Sequence, residues 1–487
     1  MIDSKERPRP MSPEEFRLYG HRLIDWLADY QRDLPNRPVQ PATRPGDVRA
    51  RLPASPPLEP EPFDHAIADL DAIVAPNLTL WQHPRFFGYF PANALAAGVL
   101  GDLVSTGLGV LGLSWQASPA LTEIEEVVTD WFRQMVGLSS LWVGVINDTA
   151  STSTLVALIC ARERTTGYSL DRGGLQAEET PLVVYTTASS HSSVEKAALL
   201  AGFGRANVRM VGVDEMFAMR PDALEEAIRA DLEAGRRPCA VVASVGGTAT
   251  TSMDPIAATA EVAKRHGLWL HVDAAMAGSA MILPECRWMW AGIEAADSLV
   301  INAHKWLGVP FDCSLYYVRD EQHLLRVMST HPSYLRSSVD THVRNLRDTG
   351  IPLGRRFRAL KLWFVIREQG VSGLQERLRR DLGNARRLAE MVAAAPDWRV
   401  VVPVQLQTAC IRHEPNDLQG EALDDHTRAW ADSINRSGEA YVTPAIVGGR
   451  WTVRVSVGAQ TTQEADVEAV WQIIQRHAAQ ALDARRS

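Results

Sequence analysis

LWLHVDAAMAGSA (residues 268–280) and ADSLVINAHKW (residues 296–306) are the two stretches that decide the fold. Each holds a short apolar run that stops at polar residues. The first stops at Asp273, the second at Asn302-Ala303-His304-Lys305. Runs of this length with β-branched and aromatic members read as buried strands. In an open α/β sheet, ligands sit outside the carboxyl ends of the strands. Asp273 and Lys305 are both expected at such ends.

The same rhythm extends outward. Further strands are expected at 182–185, 208–211, 240–245 and 315–318, with helices at 193–201, 222–234 and 256–266 between them. Alternation of this kind predicts an α/β fold, a mainly parallel sheet flanked by helices. Upstream, Ser12-Pro13-Glu14-Glu15 is a capping box with proline at the first helical position. Phe16, Tyr19, Leu23, Trp26, Leu27 and Tyr30 then recur at helical spacing. So wide an apolar face must be covered, by a partner subunit or by the helix's own domain. Residues 35–62 are proline-rich and read as a surface linker. The weakly charged stretch from Trp81 to Val128 suits a subunit interface, a pocket wall or ordinary core.

Downstream, residues 329–350 are polar and irregular, longer than an ordinary connection, as functional lids often are. Gly370 is expected to end the helix that follows. Trp451, Val453, Val455 and Val457 alternate with polar residues, as in a sheet with one solvated face. Thr461-Thr462-Gln463-Glu464 reads as the capping box of a last helix. The expected divisions are an N-terminal helical arm (1–85), a large α/β domain (86–385) and a small C-terminal α+β domain (386–487).

Composition narrows the function. Net charge is −8 with no basic stripe, which disfavours nucleic acid as a partner. No apolar run is long enough for a membrane span, and the N-terminus lacks a signal-peptide core. The five cysteines are scattered without a CxxC pair, so neither a disulfide framework nor a thiolate metal site is expected, and a reducing cytoplasm fits.

An acid and a lysine at strand ends suit pyridoxal 5′-phosphate. The lysine carries the coenzyme as a Schiff base and the acid pairs with the ring nitrogen. A phosphate needs a cup, which Thr149, Ala150, Ser151, Asn302 and His304 can supply. Hydroxyl residues at a helix start are also ordinary N-caps. A flat group is needed against the ring face, and His191 follows a strand where it can stack. Each residue alone has a plain structural reading; four roles filled at strand ends are harder to reach by chance.

These motifs carry a resemblance. HVDAAMAGSA, NAHKWLGVPFDCS, SSHSSVEKA, YFPA, SWQASPALTEIEEVV, TASTSTLVAL and IPLGRRFRALKLW resemble, in this order, the group II pyridoxal-dependent decarboxylases. The aromatic-L-amino-acid branch is the most similar. The resemblance implies fold type I and a homodimer with active sites at the interface, acting on a small-molecule amino-acid substrate. It implies that Lys305, Asp273 and His191 are catalytic. It also implies that Ala275, Thr149, Ala150, Ser151, Thr248, Asn302 and His304 contact the coenzyme. Trp81, Ala92, Leu111, Leu113 and Leu346 are expected to line the substrate pocket. The implied reaction is decarboxylation of an aromatic L-amino acid to the amine and CO2.

The chain departs from the family's usual residues at Met276, Thr152, Leu113 and Ala92. A further departure concerns the proton donor. The family's loop tyrosine is expected five residues before IPLGRR, where this chain has Leu346. Loss of CO2 leaves a carbanionic Cα, and a positioned acid that protonates it contributes ~10²–10⁴ in rate. Leucine has no proton to give, which raises the alternative of oxidative decarboxylation–deamination to an aldehyde. His342, Tyr334 and His191 are the substitutes within reach in sequence.

Overall fold

The computed structural model describes residues 10–330 and 342–486. Its centre is a seven-stranded sheet of β1 (Val143–Asn147), β2 (Leu182–Thr187), β3 (Val208–Val211), β4 (Arg237–Ser244), β5 (Trp269–Asp273), β6 (Ser298–Asn302) and β7 (Ser314–Val318). The spatial order is β1-β7-β6-β5-β4-β2-β3. β7 runs antiparallel to both its neighbours, and the β6-β5-β4-β2-β3 pairings are parallel.

The strands read as continuous apolar runs because both faces are covered. Val183, Tyr185, Val241, Ala243, Leu270 and Val272 enter one core cluster. Leu182, Val184, Ala240, Val242 and Trp269 enter the other, as the two-residue period requires. Helices close both sides. In chain order they are α1 (Pro13–Asp33), α2 (Phe63–Asp69), α3 (Ala96–Leu108), α4 (Pro119–Met135), α5 (Ala150–Thr166), α6 (Ser192–Leu200), α7 (Pro221–Glu233), α8 (Ile256–Arg265), α9 (Glu321–Met328) and α10 (Ala359–Ala394). α5 and α6 pack over one face, and α4, α7, α8 and α10 over the other. α10 is two helices meeting at Gly370, whose φ of +61° ends the first as expected.

A second, antiparallel sheet has the order β10-β11-β9-β8. It consists of β8 (Trp398–Val400), β9 (Thr408–His413), β10 (Thr443–Val447) and β11 (Arg450–Ser456), with α11 (Gly420–Ser437) and α12 (Glu464–Arg486). The expected 385/386 division falls inside α10. β10 escaped the sequence reading because Pro444 and Gly448-Gly449 resemble a loop; an edge strand tolerates the proline.

Two expectations are corrected here. β11 has no solvated face, since Thr452, Arg454 and Ser456 are as buried as Val453 and Val455. Residues 87–89 lie across it: Ser456 N–H donates to Phe87 O at 2.9 Å and Arg454 Nη2 to Tyr89 O at 3.2 Å. The last helix also starts differently. Asp466 accepts the N–H of Gln463 at 2.9 Å, while Thr461 and Thr462 turn away to the carbonyls of Gln82 and Pro84. By contrast, both capping bonds of α1 form, Glu15 N–H to Ser12 Oγ at 3.2 Å and Ser12 N–H to Glu15 Oε2 at 2.8 Å.

Four buried histidines, His83, His271, His304 and His426, are each pushed down to about 4, with burial the leading cause. Their neutral forms are favoured in the fold, so between pH 6.5 and 4 the unfolded chain binds more protons. The stability they contribute is fully present above 6.5 and is lost as pH falls through that window. Buried Asp254, raised to about 6 chiefly by burial, opposes the trend, as do Asp381 and Glu126, both also raised chiefly by burial. Denaturant midpoints at constant ionic strength are therefore expected to fall steadily from pH 6.5 to 4. A flat profile there would contradict this assignment of neutral histidines.

Candidate active site

The carboxyl ends of β4, β5 and β6 meet the N-termini of α5 and α6 around a cavity of about 190 Å³. All ten residues expected to contact the coenzyme line it: Thr149, Ala150, Ser151, His191, Thr248, Asp273, Ala275, Asn302, His304 and Lys305. Hydrogen bonds past the strand ends keep β5 and β6 together. Ala274 N–H donates to Val300 O at 3.1 Å and Asn302 N–H to Ala275 O at 2.8 Å. This stitching fixes the carboxylate and the amine relative to each other.

Asp273 Oδ1 accepts the N–H of Ala275 at 3.0 Å, which orients the carboxyl group. Lys305 follows β6 on a short, wide turn, Ala303–Leu307. Burial lowers its proton affinity most; Asp273 raises it and Arg454 lowers it further. A lysine held short of protons is suited to carbonyl chemistry. His304 Nδ1 accepts Cys313 N–H at 2.9 Å, so the assigned proton lies on Nε2. His191 caps α6, its Nδ1 accepting Ser193 N–H at 3.2 Å. Burial, then the Lys305 charge, keeps His191 neutral, against the pull of Asp273.

The anion cup is built from the start of α5. Thr149 is its N-cap and makes no side-chain capping bond. The first N–H groups of a helix have no intrahelical partner and sit at the positive end of its dipole. The opposite wall is the 246–252 loop, where Gly246 and Gly247 N–H both donate to Ser252 O at 2.9 Å. A Cβ at Gly247 would lie 2.3 Å from Ser252 Oγ, so only glycine permits this tight return. Thr248 N–H ties the loop to Ser189 O at 3.2 Å, beside His191.

These residues fit pyridoxal 5′-phosphate. Asn302 Oδ1, buried in the cavity wall, lacks a hydrogen-bond partner among the described residues; with the amide turned over, its Nδ2–H takes that place as a donor to a ligand anion. The donor set is an amine, a carboxylate, a helix N-terminus and two neutral imidazoles, with no metal-ligating cluster among the described residues.

Among the described residues, those expected in the substrate pocket, Trp81, Ala92, Leu111, Leu113 and Leu346, do not line this cavity. Trp81 and Leu111 are 38% and 64% exposed. Leu346 is a correction: it is fully buried in the main apolar core. Its segment is stitched to residues 113–115, with Arg347 N–H on Leu113 O at 3.3 Å and Trp115 N–H on Asn345 Oδ1 at 3.1 Å. The proton donor's place is therefore not at position 346. His342 lines a different cleft, with Glu126 and Trp142. Tyr334 and most of the expected lid lie outside the described residues.

Sequence reasoning missed Phe90 and Arg454. Phe90 lines the cavity. Lys305 Nζ lies 5.4 Å and Arg454 Cζ 4.9 Å from its ring centre. Arg454 is 4% exposed and donates from Nε to Ala249 O at 2.8 Å, next to Thr248. The missed signal was a long cation in mid-strand between small polar residues, Thr452 and Ser456. Alternation alone puts it on the solvated face.

Residues 45–414 match the family model described as the pyridoxal-dependent decarboxylase conserved domain. The chain is 39% identical to phenylacetaldehyde synthase of Arabidopsis thaliana over 96% of its length and 97% of that protein's. It is 39% identical to tyrosine decarboxylase 4 of Petroselinum crispum, covering 97% and 95%. The crystal structure of Oryza sativa TDC with PLP and tryptamine superposes with a TM-score of 0.94 at 37% identity, covering 97% of this chain and 99% of that one.

Proposed function

The chain belongs to the pyridoxal-dependent decarboxylases, and from that premise we propose that it converts an aromatic L-amino acid to its amine and CO2. The observation that carries the chemistry is the pairing of Asp273 and Lys305 at neighbouring strand ends, over the α5 N-terminus. The aromatic substrate rests on the named activities of the relatives and on the tryptamine in the rice structure.

Pyridoxal 5′-phosphate, when bound, supplies a ring that withdraws the electrons left on Cα as CO2 departs. Lys305 provides the attaching amine. Asp273 would hold a proton at the ring nitrogen through a charge-assisted bond. The N-terminus of α5, with Thr149 and Ser151 hydroxyls, Asn302 and the His304 Nε2–H, would receive the phosphate group. His191 and Ala275 would flank the ring, and Thr248 N–H holds Ser189 O, two residues before His191. Once Lys305 is engaged, Arg454 is the buried cation able to meet the substrate's α-carboxylate. Arg454→Met is accordingly expected to raise KM about tenfold, the effect of losing one hydrogen-bonded charge, with a smaller change in kcat. An unchanged KM would remove Arg454 from substrate binding.

A second copy of the chain completes the site. α1 has no buried residue; its contacts are with α2 and the turn after it, through Tyr19–Phe63, Arg22–Asp64 and Trp26–Asp71. Leu100, Leu103, Val104 and Leu108 of α3 also stay exposed, as do Trp81 and Leu111. Together they form an apolar surface of the kind that pairs copies. No helix among the described residues is long and apolar enough to cross a membrane. All five cysteines are buried and unpaired, which suits the cytoplasm.

The second reading, an aldehyde product, is supported by the named activity of the Arabidopsis relative. Both readings are tested together by incubating purified protein with coenzyme and each of the twenty amino acids. CO2, amine, aldehyde and peroxide are then quantified. Amine from aromatic substrates without peroxide is the expected result. Stoichiometric peroxide would favour the aldehyde, and turnover confined to acidic amino acids would end the aromatic assignment.

A further inference from the structure

The turn that presents Lys305 is a wide one, with Gly308 N–H on the carbonyl of Ala303 as well as on that of Lys305. Gly308 N–H reaches Lys305 O at 3.3 Å, and Val309 N–H reaches Ala303 O at 3.1 Å. The next two carbonyls, of Trp306 and Leu307, are held from outside. Both accept from one atom, Arg377 Nη2, at 2.8 and 2.7 Å. Four residues further along the same helix, Asp381 accepts the indole N–H of the fully buried Trp306 at 2.9 Å. The second half of α10 thus grips both the backbone and the side chain immediately after the reactive lysine.

The chemistry of that grip is unusual for a packing contact. Arg377 is 7% exposed, and its Nε and Nη1 have no hydrogen-bond partner among the described residues. Burying a guanidinium with three of its five N–H donors unused is costly, and an apolar side chain of similar volume often serves stability as well or better. What an apolar residue cannot do is bond two carbonyls. Gly308, at φ +94°, leaves no slack on the other side: a Cβ there would lie 2.8 Å from Leu95 and 3.4 Å from Arg377 Nη2.

We propose that Arg377, with Asp381 beside it, is a positioning residue that locks the Lys305 turn and keeps the amine aimed at the coenzyme. This rests on the coenzyme reading above. Arg377 does not line the cavity; it acts through the backbone of residues 306 and 307.

The test compares holoenzyme of the parent, Arg377→Met, Arg377→Lys and Trp306→Phe. In Arg377→Met, coenzyme dissociation on dilution and amide hydrogen exchange in residues 303–309 are each expected to rise about tenfold. The pH midpoint of the coenzyme's visible band should also move, and kcat should fall with KM within about twofold. Arg377→Lys, which can still donate to both carbonyls, should recover most of the retention. Trp306→Phe, lacking only the indole bond, should fall between. Parent-like retention and exchange in Arg377→Met would overturn the proposal, as would exchange rising evenly along the chain. Should Arg377→Met not fold, parent-like behaviour of both other variants overturns it equally. A parent that takes up no coenzyme brings down the coenzyme reading and this proposal with it. A parent that binds coenzyme while the variants match it rejects this proposal alone.

Discussion

Lys305→Ala is expected to lose the visible band of protein-linked coenzyme and to decarboxylate at least ~10³-fold more slowly than the parent. The size follows from the site. The amine enters the cavity from a turn fixed on both sides, and burial together with Arg454 keeps it short of a proton. Alanine removes the nucleophile and leaves the rest standing. Asp273 is still oriented by Ala275 N–H, and the α5 N-terminus still offers its donors. The variant should therefore bind coenzyme without linking to it, which absorbance after gel filtration and release of labelled CO2 will show. A retained band with near-parent turnover would place the attachment elsewhere.

Tyr334→Phe is expected to cut amine formation by ~10²–10⁴ and shift the product towards aldehyde and peroxide, whereas Leu346→Tyr should leave the product ratio unchanged. The second half follows from position: Leu346 is fully buried in the core, so a tyrosine there cannot reach Cα. Its expected effect is a loss of stability of about 1–3 kcal/mol from overpacking. The first half follows from comparing donors. His342 opens on another cleft. His191 lines the cavity but is held neutral, and a neutral imidazole N–H is a far weaker acid than a phenol, which ionises near 10. That leaves Tyr334 among the donors named from sequence. Product ratios for both variants check the assignment. An amine yield unchanged in Tyr334→Phe would hand the role to His191.

Much of the coenzyme site was legible because its parts are local. A strand end, the residue after it and a helix start are features of a few consecutive residues. The buried sheet repeats them at β5, β6, α5 and α6. All ten expected contact residues accordingly meet in one cavity. The substrate side was not legible for the opposite reason. Position 346 was placed by counting back from a motif, but its segment is fixed by bonds to Leu113 and Trp115, more than two hundred residues upstream. Arg454 looked solvated because alternation along a strand reports which residues share a face, not what lies against that face.

The sequence by itself determined six of the seven strands of the main sheet, the helices between them, the paired acid and amine and the family, since periodicity, caps and strand-end residues are written in neighbouring positions. Only the tertiary structure decided that β11 turns Arg454 inward, that Leu346 is core and that α10 clamps the turn after Lys305. Each of these joins residues far apart in the chain, and such contacts arise from packing, which no local pattern encodes.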